Sequence, residues 1–406
     1  MIGKTVRKLA AAIALSAIIV GATPASALVI ALNNTGGVGA GTQAAAGFRA
    51  AASFWERVLT NNITVNLNVN FAPLAPGVLG STGSTTNGVF LQPFVELLQA
   101  SGVSRLDQIA TANAQSFRPS VDGPGRGAYD ALISGPRPDG TGVQTAGGLV
   151  TRLDNDGSRN NDSLSVNTAV IKAIGAAPTY AASNTTQADG SISFSSNFAF
   201  DFDPTDGISS GQFDFVGIAI HEIGHALGFR SGVDVYDGNT GFTGNLNNFT
   251  FLTQLDLFRY SAASTALGVN DWQIGGNPYF SIDGGQTNLF GNFLSSGRIF
   301  GDGQQASHWR DAPRGAPQLG ILDPTIASGQ QGIITTLDLA AFDAIGYNIA
   351  YDVLRNPNTT FTTRDRNFGT IPPVPEPATW LMLITGFGLV GSALRRRRQQ
   401  ETLAAA

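Results

Sequence analysis

The apolar positions fall into several distinct periodicities. Residues 28–32 form a short apolar run suited to a buried strand. Residues 44–59 (AAAGFRAAASFWERVL) place Phe48, Ala52, Trp55 and Leu59 at helical spacing in an alanine-rich segment. Residues 63–71 (ITVNLNVNF) alternate strictly, with Ile63, Val65, Leu67, Val69 and Phe71 set against Thr64, Asn66, Asn68 and Asn70. Such alternation predicts a strand with one buried face. Weaker signals predict helices near 93–100 and 167–176 and a strand over 191–200. Residues 215–230 (FVGIAIHEIGHALGFR) read as a buried helix, because Val216, Ile218, Ile220, Ile223 and Leu227 leave little polar surface. Gly228 ends that helix or turns it sharply.

Residues 231–307 are Gly- and Asn-rich and read as largely irregular, with LDLFRY (255–260) as an ordered island. Residues 336–346 predict a closing helix, with Thr336 as N-cap and Leu337, Leu339, Ala341, Phe342 and Ile345 buried. From 351 to 374 the chain turns polar and reads as an extended linker. The pattern predicts an α+β domain over 28–350. It combines an N-terminal twisted sheet and two long helices with a largely irregular C-terminal subdomain closed by a helix.

Composition narrows this picture. Hydrophobic content of 42% supports a buried core, while charged residues make up only 13%; an average soluble protein has about 25%. A net charge of −5 and a pI near 5.2 give no footprint for nucleic acid. There is no cysteine, which excludes disulfides and a thiolate that masks a metal.

Both termini carry sorting signals. Residues 1–27 combine basic Lys4, Arg7 and Lys8, an apolar core and Ala25-Ser26-Ala27, the pattern of a cleaved export signal. The apolar core, residues 9–20, falls short of the ~20 residues that a bilayer span requires. At the other end, Pro375-Glu376-Pro377 precedes an apolar span (378–394) and the run Arg395–Arg398, followed by a short tail, residues 399–406. This order resembles the PEP-CTERM sorting signal. The resemblance implies transient passage through the inner membrane, an exosortase-type partner, and release or surface attachment after processing. The other reading of the span is a permanent C-terminal anchor.

The chemistry centres on residues 221–225. His221 and His225 lie four apart, so both face one ion, and Glu222 between them is placed to act on water without being a ligand. A catalytic zinc usually keeps three protein ligands and one open position. The chain has glutamates only at Glu56, Glu96, Glu222, Glu376 and Glu401, so no ligating Glu follows the helix within the domain. The short pattern with a third histidine six residues after His225 fails, since Ser231 stands there. His308, in Ser307-His308-Trp309, is the remaining histidine, and Asp234 and Asp237 stay open as alternatives.

Taken together, HEIGHALGF, a long insertion, LDLFRYS and SHW resemble the metzincin metallopeptidases, with a leishmanolysin-like spacing between the second and third histidines. The resemblance runs from about residue 213 to 347. It implies a zinc endopeptidase acting on protein or peptide, with His221, His225 and His308 holding Zn²⁺ and Glu222 as general base. Metzincins carry a methionine in a turn beneath the zinc. Here GILDPTI (320–326) has Leu322 at that place, and Met1 and Met382 both lie outside the domain. Leu for Met nearly conserves volume, typically costing under ~1.5 kcal/mol.

Three further expectations follow. The predicted strand, through Ser191, Ile192, Ser193 and Phe194, is expected to be an edge that aligns an extended substrate. The runs Asp201-x-Asp203-x-x-Asp206-Gly207 and Asp154-x-Asp156-Gly157 hint at Ca²⁺ but lack the closing Glu of an EF-hand, and solvated Asx-turns are the competing reading. The rival function is a surface or matrix protein that keeps the zinc fold without turnover.

Overall fold

The computed structural model describes residues 28–134, 149–179, 187–239, 246–313 and 315–365. The alternating segment becomes β2 (Thr64–Ala72), which pairs in parallel with β1 (Val29–Gly36). Thr42 caps α1 (Gln43–Val58) by accepting from the Ala45 N–H at 3.1 Å, so the alanine-rich segment starts where a cap is available. β3 (Gly80–Ser84) and β4 (Gly190–Ser195) complete a four-stranded sheet in the order β1-β2-β4-β3. β4 runs parallel to β2 and antiparallel to β3.

This order corrects the expected edge. Ser191, Ile192, Ser193 and Phe194 pair on both sides, with β2 and with β3, and therefore form an inner strand. The edges are β1 and β3; the one beside the histidine helix is β3, whose sequence GSTGS carries no apolar alternation. A glycine- and hydroxyl-rich strand suits that place, because it lies against a polar site and not against core.

α1 packs beside α2 (Phe215–Ala226), the histidine-bearing helix. Phe194 of β4 touches both, with ring centroids 5.1 Å from Phe48 and 4.3 Å from Phe215. The two helices thus cover one face of the sheet. Their approach is close: a Cβ on Gly47 would lie 2.4 Å from the Phe215 ring. Trp55 locks the pair by donating its indole N–H to the Ile220 carbonyl at 3.0 Å.

The weaker helix signals appear at Leu91–Ser101 and Thr168–Ala173. The long middle segment holds short elements, including α3 (Val233–Gly238) and a turn of helix at Leu255–Phe258. The closing helix, α4 (Thr336–Ala344), is capped by Thr335 and not by Thr336. Thr335 forms a capping box with Asp338, and the Thr336 hydroxyl instead donates to the Asn356 carbonyl at 2.8 Å.

Residues 351–365 do not form the extended linker that their composition suggests. Ile333–Thr335 pairs antiparallel with Thr360–Thr362, and Tyr351, Val353 and Phe361 are buried. These three apolar anchors hold residues 351–365 to the body despite their polar surroundings. No helix among the described residues is long and apolar enough to cross a membrane. The export signal at 1–27 and the span at 378–394 lie outside the described residues.

Candidate metal centre

α2 starts at Asp214, whose carboxylate accepts from the Gly217 N–H at 2.9 Å, and it ends at Leu227. Gly228 adopts φ +123, and its N–H donates to the His225 carbonyl at 3.1 Å. A Cβ there would lie 2.7 Å from Val170 Cγ2. This turn brings the Phe229 carbonyl back to His225 Nδ1 at 2.7 Å. Gly228→Ala is expected to lower stability by about 1–3 kcal/mol and to weaken metal binding. Denaturant unfolding with and without zinc checks both effects.

The structure brings His221, His225 and His308 together, and they are the one such cluster of potential ligands among the described residues. Their Nε2 atoms are 3.0 Å (225–221), 3.1 Å (225–308) and 3.3 Å (308–221) apart. Each Nδ1 faces a main-chain carbonyl: Ile321 at 2.7 Å for His221, Phe229 at 2.7 Å for His225, and Gln305 at 3.2 Å for His308. A carbonyl only accepts, so each Nδ1 carries the proton and each Nε2 is left with a lone pair. Three lone pairs converging this closely cannot satisfy one another by hydrogen bonding. They can satisfy a cation. Three vertices of a tetrahedron with Zn–N bonds of 2.0–2.1 Å lie about 3.3 Å apart, so the residues fit a zinc ion.

Burial enforces the neutral state. Desolvation lowers the His221 pKa to about 4 and, with help from His221, the His225 pKa to about 3. Burial holds His308 well below its usual value as well. Glu222 is 5% exposed, and its burial pushes its pKa up to about 7. The Thr82 hydroxyl, on β3, lies 2.7 Å from Glu222 Oε2 and 2.9 Å from the Glu222 carbonyl. Gly80 leaves room for the carboxylate, since a Cβ there would lie 2.6 Å from Oε1.

Leu322 is fully buried beside the histidine helix. A Cβ on Gly224 would meet its methyl groups at 3.3 Å and Trp55 at 3.4 Å. Asp338 secures this floor. Its carboxylate accepts from the N–H groups of Ile321 (2.9 Å) and Leu322 (3.3 Å) and from the Trp309 indole (2.8 Å). One buried carboxylate on α4 therefore ties the Leu322 turn to the residue after His308. The helical pattern over 336–346 assigns Asp338 no role. Its place at the third position of a capping box was the available signal.

Asp234 and Asp237 do not join the cluster. Asp234 accepts from Ala306 N–H and Ser307 N–H, and Asp237 from Ile299 N–H and Phe300 N–H. Within the Asp-rich runs, Asp154 accepts from Asn160 through Oδ2, while its buried Oδ1 has no hydrogen-bond partner among the described residues. The carboxylates of Asp156, Asp201 and Asp203 accept local N–H groups. Asp201 accepts from Asp203 N–H and Ser209 N–H, Asp203 from Thr205 N–H, and Asp156 from Ser158 N–H. The bonds from Asp203, Thr205 and Ser158 each span two residues and are Asx-turn bonds, whereas the one from Ser209 spans eight.

The histidines and Glu222 line a cleft of about 1040 Å³. Gly80, Ser81, Thr82 and Ser84 of β3 line it together with Asp323 and Ile326.

Residues 373–398 match the PEP-CTERM protein-sorting motif. The chain carries an exosortase sorting signal. The motif marks proteins exported and sorted to the cell surface or extracellular space, and it implies recognition by an exosortase-type enzyme. The match leaves the histidine cluster uncovered. Comparison with curated proteins and with solved structures gives no match.

Proposed function

We propose that this exported protein is a zinc-dependent endopeptidase with a metzincin-like site. The observation that carries the reading is the triangle of three Nε2 lone pairs, 3.0–3.3 Å on a side, beside a buried carboxylate in an open cleft. His221, His225 and His308 would hold the ion. When bound, zinc supplies Lewis-acid polarisation of a carbonyl and of water.

The chain's own groups do the rest. Glu222 accepts a proton from water at its carboxylate and later returns it to the leaving amine nitrogen. The Thr82 hydroxyl fixes the orientation of Oε2. β3 is the edge strand beside the cleft, the place where an extended peptide adds by backbone pairing. Leu322 fills the floor that a methionine fills in metzincins.

Histidines that are already neutral have few protons to lose. At pH 6, three imidazoles with ordinary pKa near 6.5 would release roughly two protons on binding zinc. With His221 near 4 and His225 near 3, they release almost none. Glu222, near 7 without metal, gives up close to one as a neighbouring dication favours its charged form. Zinc titration by calorimetry in buffers of different ionisation enthalpy is expected to count about one proton, and a count of two or more contradicts the neutral state that burial imposes on the histidines.

The rival, a zinc-binding surface protein without turnover, is carried by Leu322. Zinc-dependent peptide hydrolysis by the purified protein separates the two.

A further inference from the structure

α2 fixes His221 and His225 by its own backbone, but His308 sits on a segment without helix or strand on either side. Its Nδ1 contact, 3.2 Å to Gln305 O, is also the longest of the three. Something else must hold it. We propose that Asp234 and Ser307, backed by Ser231 and Asp256, are positioning residues that hold the third histidine in place for the metal. This rests on the zinc reading above.

The Asp234 carboxylate, on α3, clamps the two residues before His308. Oδ1 accepts the Ala306 N–H at 2.6 Å, and Oδ2 accepts the Ser307 N–H at 3.1 Å together with the Ser307 hydroxyl. Ser307 Oγ in turn accepts the Ser231 N–H at 2.9 Å. The Ser231 hydroxyl donates to Asp256 Oδ1 at 2.5 Å, and Asp256 Oδ2 accepts the N–H groups of Gly232 (2.7 Å) and Thr253 (2.8 Å). Asp256 and Ser231 are almost fully enclosed, at 1% and 3% exposure. A buried carboxylate with this many donors has one arrangement, and that rigidity passes to what it holds.

A second arm reaches the main chain of His308 itself. Arg259 is buried under the influence of the carboxylates of Asp271, Asp256, Asp234 and Asp302, and donates to the Ser295 carbonyl at 3.1 Å. Ser295 donates its N–H to the His308 carbonyl at 3.0 Å and its hydroxyl to the Trp309 carbonyl at 2.9 Å. Asp256 and Arg259 both belong to LDLFRY, so the ordered island in the irregular segment acquires a task. It anchors the loop that carries the third ligand.

Hydrogen-bond partners behind metal ligands typically govern affinity by 10–100-fold. Asp234→Asn keeps the shape but sets an amide donor where a carboxylate oxygen met the Ser307 donors. Ser307→Ala removes the hydroxyl that links Asp234 to Ser231. In the full chain, both variants are expected to weaken zinc binding about 10–100-fold. Both should also alter the visible absorption of the Co²⁺-substituted protein in the direction of His308→Ala. Asp189→Asn serves as the stability control, since Asp189 bonds Asn66 N–H and Lys172 elsewhere in the fold. It should lower the melting temperature and leave affinity and spectrum unchanged. Native affinity and spectrum in either Ser307→Ala or Asp234→Asn overturns the proposal, as does a loss no larger than that of Asp189→Asn. If His308→Ala also binds zinc normally, the underlying zinc reading fails instead.

Discussion

Glu222→Gln is expected to abolish peptide hydrolysis, lowering kcat/KM by about 10²–10⁴-fold, while zinc binding persists. The amide has nearly the same volume, so the enclosed space left by Gly80 still accepts it. Thr82 can still donate to the remaining side-chain oxygen, as it does to Oε2 at 2.7 Å. Only the capacity to take a proton is removed. Burial raises the carboxyl to about 7 before metal binds, which places it near the operating range of a general base. Kinetics on a denatured protein substrate, paired with zinc stoichiometry, check the two halves. A Gln variant that cleaves normally removes Glu222 from the mechanism.

His308→Ala is expected to weaken zinc binding by more than about 100-fold, beyond what loss of a supporting hydrogen bond typically costs. The change takes away one of three converging Nε2 atoms, 3.1 Å from His225 and 3.3 Å from His221. The two that remain, 3.0 Å apart on one helix, offer an incomplete site. Activity should fall with metal occupancy. Dialysis against a zinc-selective chelator measures the affinity directly, and native retention of zinc in this variant removes His308 from the ligand set.

Local periodicity made the N-terminal half of the fold readable. Phe48, Ala52 and Trp55 are buried on α1, and Val65, Leu67 and Val69 are buried on β2, because each repeat faces a single core. The rank of each strand within the sheet was not readable. Ser191–Phe194 has the look of a strand, but nothing local says whether a neighbour covers its second side. The edge beside the site, GSTGS, hides because its job is to leave room for Glu222 and to offer hydroxyls, not to bury apolar surface. At the site, scarcity was informative: with three histidines in the chain, His308 was the natural partner of His221 and His225. The supports of that site were silent. Asp234, Asp256 and Asp338 act by accepting main-chain N–H groups from distant segments, and such contacts leave no spacing in the sequence.

The most direct test of the central claim is cleavage of a denatured protein by the purified, exported chain, first freed of metal and then given one equivalent of zinc. The account predicts no cleavage without metal, hydrolysis on adding zinc, and loss of that hydrolysis on chelation. One equivalent of zinc bound at the three histidines with no peptide bond broken would contradict it.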